Sequence, residues 1–186
     1  MHPAVMLDPA IGGLIVGCFA LLFVSAAGHK LRDLRRFAQV FAAYGIAPAL
    51  GRRQFAWLVP LLEIGIALGL LLPQSRHPAA IAGAALLLSY AIAIGINLRA
   101  GRIAIACGCG GPDQRRRIAG WMVWRNLLLA TVLSIAILPW SARAFEWTDG
   151  ATVGFGLAAI ALLYASAERL LGELGRAPGA GIGGTS

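Results

Sequence analysis

Two cysteines separated by a single glycine, in the run Ala106-Cys107-Gly108-Cys109-Gly110-Gly111-Pro112, are the sharpest chemical feature of the chain. Thiols this close can close a disulfide, and Gly108 permits the tight backbone turn that closure needs. An extended chain would put the two Cα atoms near the upper end of the usual disulfide range with the side chains pointing apart, so the small ring is strained. Strained disulfides are more easily reduced and suit thiol exchange. Three readings stay open: redox or partner exchange, two unpaired thiols kept for their small size, and metal binding. Zinc asks for four ligands. The pair by itself is two ligands short and only His29 is placed to join it, so the metal site stays incomplete and no cofactor is called for. The third cysteine, Cys18, lies among Gly17, Phe19 and Ala20 and reads as a small hydrophobe.

Glu63 and Arg125 are the other chemical candidates, because each interrupts an otherwise apolar stretch. Charge inside a membrane span is expensive and by default marks a function or a structural ion pair. The two sit at matching depth if their helices start on one side. Glu63 is eight residues past Phe55 and Arg125 seven past Ile118, roughly 12 Å and 10 Å at ~1.5 Å per residue. The planar guanidinium suits a carboxylate, so the two are expected to meet and link their helices. Asn97 and Asn126 are the polar neighbours available for leftover donors.

The elements that must position these residues are membrane helices. The 186 residues are 59% hydrophobic and 13% charged, with a mean hydropathy of +0.76. Soluble proteins carry roughly 25% charged residues, so a water-soluble domain is excluded. Five stretches are long and apolar enough to span a bilayer as helices, at about 11–27, 55–72, 79–98, 118–138 and 151–171. They predict an all-α integral membrane protein with one transmembrane domain over 1–172. The remaining residues, 173–186, read as a flexible Gly-rich tail. Pro73 and Pro78 bracket one turn, and Pro139 closes the fourth span. The first span is expected to be retained rather than cleaved, because its basic residues follow the apolar run, the reverse of a secretory signal.

The net charge of +8 does not point to nucleic acid. The basic residues crowd beside the spans: Lys30, Arg32, Arg35, Arg36, Arg52 and Arg53 in one loop, and Arg99, Arg102, Arg115, Arg116 and Arg117 in another. Apart from Phe37, Phe41, Tyr44 and Phe55, little aromatic surface is interleaved with them. Lys and Arg divide thirteen to two between the two sides of the five-span arrangement. By the positive-inside rule this predicts a periplasmic N-terminus and a cytoplasmic C-terminus. Between the first two spans, Leu31, Leu34, Phe37, Phe41 and Tyr44 recur at helical spacing, with Arg32, Arg35, Arg36 and Gln39 largely opposite. That is the pattern of a short interfacial helix on lipid head groups. Gly13 and Gly17, and Gly65 and Gly69, are spaced for close helix approach.

One ordered set of residues carries a family resemblance. It opens with Ala27-Gly28-His29-Lys30-Leu31 through Phe37 and Phe41 to Gly45-Ile46-Ala47-Pro48. It continues with Leu61-Leu62-Glu63-Ile64, with Ile96-Asn97-Leu98-Arg99 before Cys107-Gly108-Cys109-Gly110, and with Trp124-Arg125-Asn126-Leu127-Leu128. In this order, over about residues 7–171, the chain resembles the MauE family of methylamine-utilisation membrane proteins, within the wider DoxX-like group. The resemblance implies a multi-pass protein of the bacterial inner membrane, with a DoxX-like four-helix core plus one helix. It implies a role in processing, export or maturation of the methylamine dehydrogenase small subunit, including its disulfide formation, beside a MauD-like thioredoxin-fold partner. Such a chain is an assembly factor rather than an enzyme, with Cys107 and Cys109 as candidate exchange pair. A non-redox scaffold or export partner, or a small-molecule transporter, are the alternatives. One tension follows from the charge bias, which puts the 99–117 loop on the cytoplasmic side while a periplasmic enzyme forms its disulfides outside. Either the loop passes electrons through the bundle, or the cysteines do not act directly on the client.

Overall fold

In the computed structural model, residues 6–44, 52–102 and 118–174 are described. They form six helices: α1 (Pro9–Arg32), α2 (Leu34–Ala43), α3 (Arg52–Leu71), α4 (Arg76–Arg99), α5 (Gly120–Ile135) and α6 (Trp147–Leu174). The described residues contain no β-strand beyond one isolated bridge between Leu7 and Trp140. Three helices are long and apolar enough to cross a membrane: Pro9–Arg32, Arg76–Arg99 and Trp147–Ala167. Two shorter apolar helices, Ala56–Leu71 and Gly120–Ile135, accompany them. The proposed tail 173–186 lies outside the described residues beyond Leu174.

Local chemistry explains the helix ends. Asp8 caps α1 by accepting a hydrogen bond from the Ala10 amide at 2.9 Å, and Pro9 opens the first turn, where its missing N–H costs nothing. At the other end α1 runs on to Arg32, past the sequence-based limit near residue 27. Asp33 then stops it and caps α2, taking the Arg36 amide at 3.0 Å. The expected interfacial helix is therefore a separate element of ten residues. It turns Arg35 and Gln39 outward and half-buries Leu34, Phe37 and Phe41. The α5 helix is shorter than the 118–138 stretch. Beyond Ile135 the backbone closes into tight turns, with Ile137 and Leu138 amides bonded three residues back, before Pro139.

Packing runs α6–α1–α3–α4–α5, with α5 also touching α1 and α2 lying against α3 and α1. The core is built from regular stripes: Val16, Phe19, Phe23 and Ala27 on α1, Ile66, Ala67 and Leu70 on α3, Ala80, Gly83, Ala84 and Leu87 on α4, and Ala130 and Leu133 on α5. Large apolar side chains on the opposite faces, such as Leu58, Leu61, Ile92, Trp124 and Phe155, are exposed. Helices with apolar residues on both faces fit a lipid surround.

The glycine pairs act unequally. Gly13 and Gly17 face α6, with Val153 Cγ2 and Leu157 Cδ1 at 3.4 and 3.0 Å from the positions their Cβ atoms would take. Gly69 lets α3 approach Ala79 closely, whereas Gly65 meets nothing within 4 Å, so that pair does not form a two-glycine seam.

The end of the bundle opposite Arg99 is held by a clasp. The Leu7 amide donates to the Pro139 carbonyl at 2.8 Å, and the Ser141 amide donates to the Leu7 carbonyl at 2.9 Å. Arg143 then bridges Asp8 at 3.2 Å and Asp149 at 2.9 Å, joining the starts of α1 and α6. The Ala10 amide, and then Arg143, hold the Asp8 carboxyl below its ordinary value. A depressed carboxyl stabilises the folded state fully above the unfolded value of about 3.9, and that contribution fades as pH falls through the folded value. Acidification below about pH 4 is thus expected to loosen the clasp, read as lower protection factors (exchange relative to the intrinsic rate at each pH) for the Leu7 and Ser141 amides. Asp8→Asn should already show the lower protection at neutral pH; unchanged protection in that variant would mean Asp8 plays no part.

Candidate functional site

The described charged residues with the least exposure are Lys30 and Glu63, and they meet. Lys30 Nζ donates to Glu63 Oε1 at 2.5 Å, and the two side chains are 4% and 1% exposed. The Tyr90 hydroxyl donates to the same carboxylate oxygen at 2.8 Å. The Lys30 ammonium also lies 5.6 Å from the Phe37 ring centre and 5.3 Å from that of Tyr90, within range of cation–π attraction. Four elements therefore contribute: Lys30 from the last turn of α1, Phe37 from α2, Glu63 from the middle of α3 and Tyr90 from α4. Glu63 Oε2 is buried without a hydrogen-bond partner among the described residues. The result is a closely spaced acid, base and phenol able to hold or relay a proton, with one acceptor still open.

Two asparagines extend the polar set toward the loop ends. Asn97 Nδ2 donates to the Ala93 and Tyr44 carbonyls at 3.0 and 3.3 Å, tying the end of α2 to α4. Burial pushes the Tyr44 phenol up to about 12. Asn126 Nδ2 donates to the Met122 carbonyl of its own helix at 2.9 Å. Among the described residues, neither asparagine bonds to Glu63 or Arg125.

The partner of Glu63 is Lys30, and not the expected Arg125. Matching depth is insufficient here because α3 and α5 are not neighbours: α3 packs on α1, α2 and α4, and α5 packs on α4 and α1. On α5 the buried stripe is Met122, Asn126, Ala130 and Leu133. Arg125 lies off it, half-buried beside Trp121 at 5.4 Å from the ring centre, and its Nη1 reaches the Tyr164 hydroxyl at 3.4 Å. Cys107 and Cys109 lie outside the described residues. Cys18 is half-buried in α1 and unbridged, and His29 is half-buried one residue before Lys30.

Sequence reasoning counted Lys30 only as a loop cation and passed over Tyr90. The signal for Lys30 was present: it continues the α1 core stripe of Phe23 and Ala27 at spacings of four and three. Glu63 likewise falls on the stripe of Ala56, Pro60, Ala67 and Leu70.

This helical arrangement, with its polar cluster on the core stripe, accompanies a clear relationship. The family model described as methylamine utilisation protein MauE matches residues 8–140. The methylamine utilization protein MauE of Paracoccus denitrificans is 41% identical over 161 residues, 85% of each chain. The chain belongs to the MauE family. The MauE proteins of Paracoccus versutus and Methylorubrum extorquens are 36% and 33% identical, each match covering 94% of both chains. No solved structure matches. Membership of the MauE family, together with the apolar helices, makes this chain a membrane protein of methylamine utilisation.

Proposed function

We propose that this chain is a multi-pass factor of the bacterial inner membrane that supports processing, export or maturation of the methylamine dehydrogenase small subunit, with Cys107 and Cys109 as its thiol–disulfide exchange pair. The observation that carries the reading is the match to MauE proteins over 85–94% of both chains, which takes in the cysteine pair as well as Lys30, Glu63 and Tyr90. In this reading α3 and α5 complete a bundle of five spans, with the N-terminus periplasmic and the C-terminus cytoplasmic. In the exchange step the Cys107–Cys109 disulfide opens while two client thiols close to a disulfide, so two electrons and two protons pass to the pair. The disulfide of a MauD-like thioredoxin-fold partner then re-oxidises the pair and takes them up.

The second reading is a non-redox scaffold for that partner, and the charge bias supports it by setting the 99–117 loop on the cytoplasmic side. Cys107→Ser and Cys109→Ser, singly and together, separate the two. The exchange reading expects active periplasmic dehydrogenase to fall at least tenfold in each single variant, at matched levels of this protein in the membrane. Full dehydrogenase activity in the double variant would leave only the scaffold.

A further inference from the structure

The clasp end of the bundle contains a cation that no described carboxylate neutralises. Arg76, the first residue of α4, lays its guanidinium carbon 3.7 Å from the centre of the Trp140 ring. The stack leaves two buried donors without acceptors among the described residues, Arg76 Nε and Trp140 Nε1. The nearby acids are committed elsewhere: Asp8 and Asp149 both pair with Arg143, and Glu146 is exposed at the start of the turn into α6. Buried donors left unpaired cost about 1–3 kcal/mol each, and more for charged groups; the terminal nitrogens of the guanidinium also have no acceptor among the described residues, and on this half-buried side chain they are the part that a group from outside the chain can reach.

The platform beneath the guanidinium is firmly placed. The backbone on either side of Trp140 is clamped by the Leu7 bonds to Pro139 and Ser141. The indole fills the space that Gly12 leaves open, where an added Cβ would stand 2.6 Å from Trp140 Cε2. Arg76 itself opens a 24-residue apolar helix. A residue at the mouth of such a span stands at the level of the lipid head groups. Exposed Leu71 and Leu72 border it and offer acyl chains a surface to lie against.

We propose that Arg76 and Trp140 form a phosphate-binding site for a membrane phospholipid. The guanidinium terminus takes two phosphate oxygens in its fork, the indole holds that fork in place by stacking, and the acyl chains run down the apolar face beside α3 and α4. An isolated lysine at this position would supply charge without the fork or the stack.

Native mass spectrometry of the full chain released from mild detergent tests this, with phosphatidylglycerol and a phosphate-free diacylglycerol as the added lipids. The wild-type chain should retain phosphatidylglycerol about tenfold more tightly than diacylglycerol. Arg76→Gln should lose that preference, and Arg76→Lys should keep part of it. Trp140→Phe preserves a stacking ring; it should keep most of the preference while melting within a few degrees of wild type. Inorganic phosphate is the third arm. If millimolar phosphate displaces the lipid and stabilises the chain equally well, the site takes a free anion and the lipid assignment is wrong. Equal phosphatidylglycerol retention by the wild-type chain and Arg76→Gln would overturn the site altogether.

Discussion

Lys30→Met is expected to be the most damaging single substitution in the described part of the chain. It leaves the Glu63 carboxylate, a fully buried side chain, with the Tyr90 hydroxyl as its remaining donor. Removing one partner of a buried pair costs about 3–5 kcal/mol. For a chain of this length that lowers the melting temperature by on the order of 10 °C, read in detergent by intrinsic fluorescence or by loss of folded protein from the membrane. Glu63→Gln should be similarly harmful, because it strands the Lys30 ammonium between two aromatic rings. The Lys30→Met, Glu63→Met double variant removes both charges and should recover most of the loss, short of the Tyr90 hydroxyl left without its acceptor. Strictly additive losses would show that the two side chains do not depend on each other. Arg125→Gln combined with Glu63→Gln should be additive, since Arg125 belongs to the α5–α6 side of the bundle.

A valine at Gly83 is expected to come second. Gly83 lies where four helices converge: a Cβ there would stand 2.7 Å from Leu133 Cδ2 on α5 and 3.2 Å from both Ile66 Cγ2 on α3 and Phe23 Cε2 on α1. Each of those side chains is itself buried, with Leu133 at 0% exposure and Phe23 at 1%. All three contacts are side-chain ends inside the core, so accommodating the new methyls requires several buried side chains to shift together. Overpacking of this kind typically costs about 1–3 kcal/mol, and valine adds two methyl groups beyond the Cβ. Gly95 is the matched control on the same helix, because nothing lies within 4 Å of its missing Cβ. Gly95→Ala should be neutral or stabilising by up to about 1 kcal/mol through helix propensity. Equal melting temperatures for Gly83→Val and Gly95→Ala would mean that the four-helix junction is looser than the structure shows.

Composition and periodicity alone determined much of this protein. Apolar runs marked each of the five longer helices, because a helix that faces both core and lipid must be apolar nearly all round, though their ends differ by up to five residues. Leu34, Phe37 and Phe41 likewise announced α2, since a 3.6-residue period is a property of the chain itself. The stripe that carries Ala56, Pro60, Glu63, Ala67 and Leu70 emerged only with the structure, because the exposed face of the same helix, with Leu58, Leu61 and Leu68, is equally apolar. Only the tertiary structure decided which helix lies beside α3. Depth along the membrane normal follows from counting residues, but lateral adjacency depends on which surfaces interlock, and there α1 and α4 flank α3 while α5 does not. That arrangement gave Glu63 to Lys30 and Tyr90, left Arg125 near Tyr164, and set Arg76 on Trp140 across a turn and a chain end distant in sequence. An ion pair is a three-dimensional meeting of two long side chains, and spacing along one chain does not encode its lateral half.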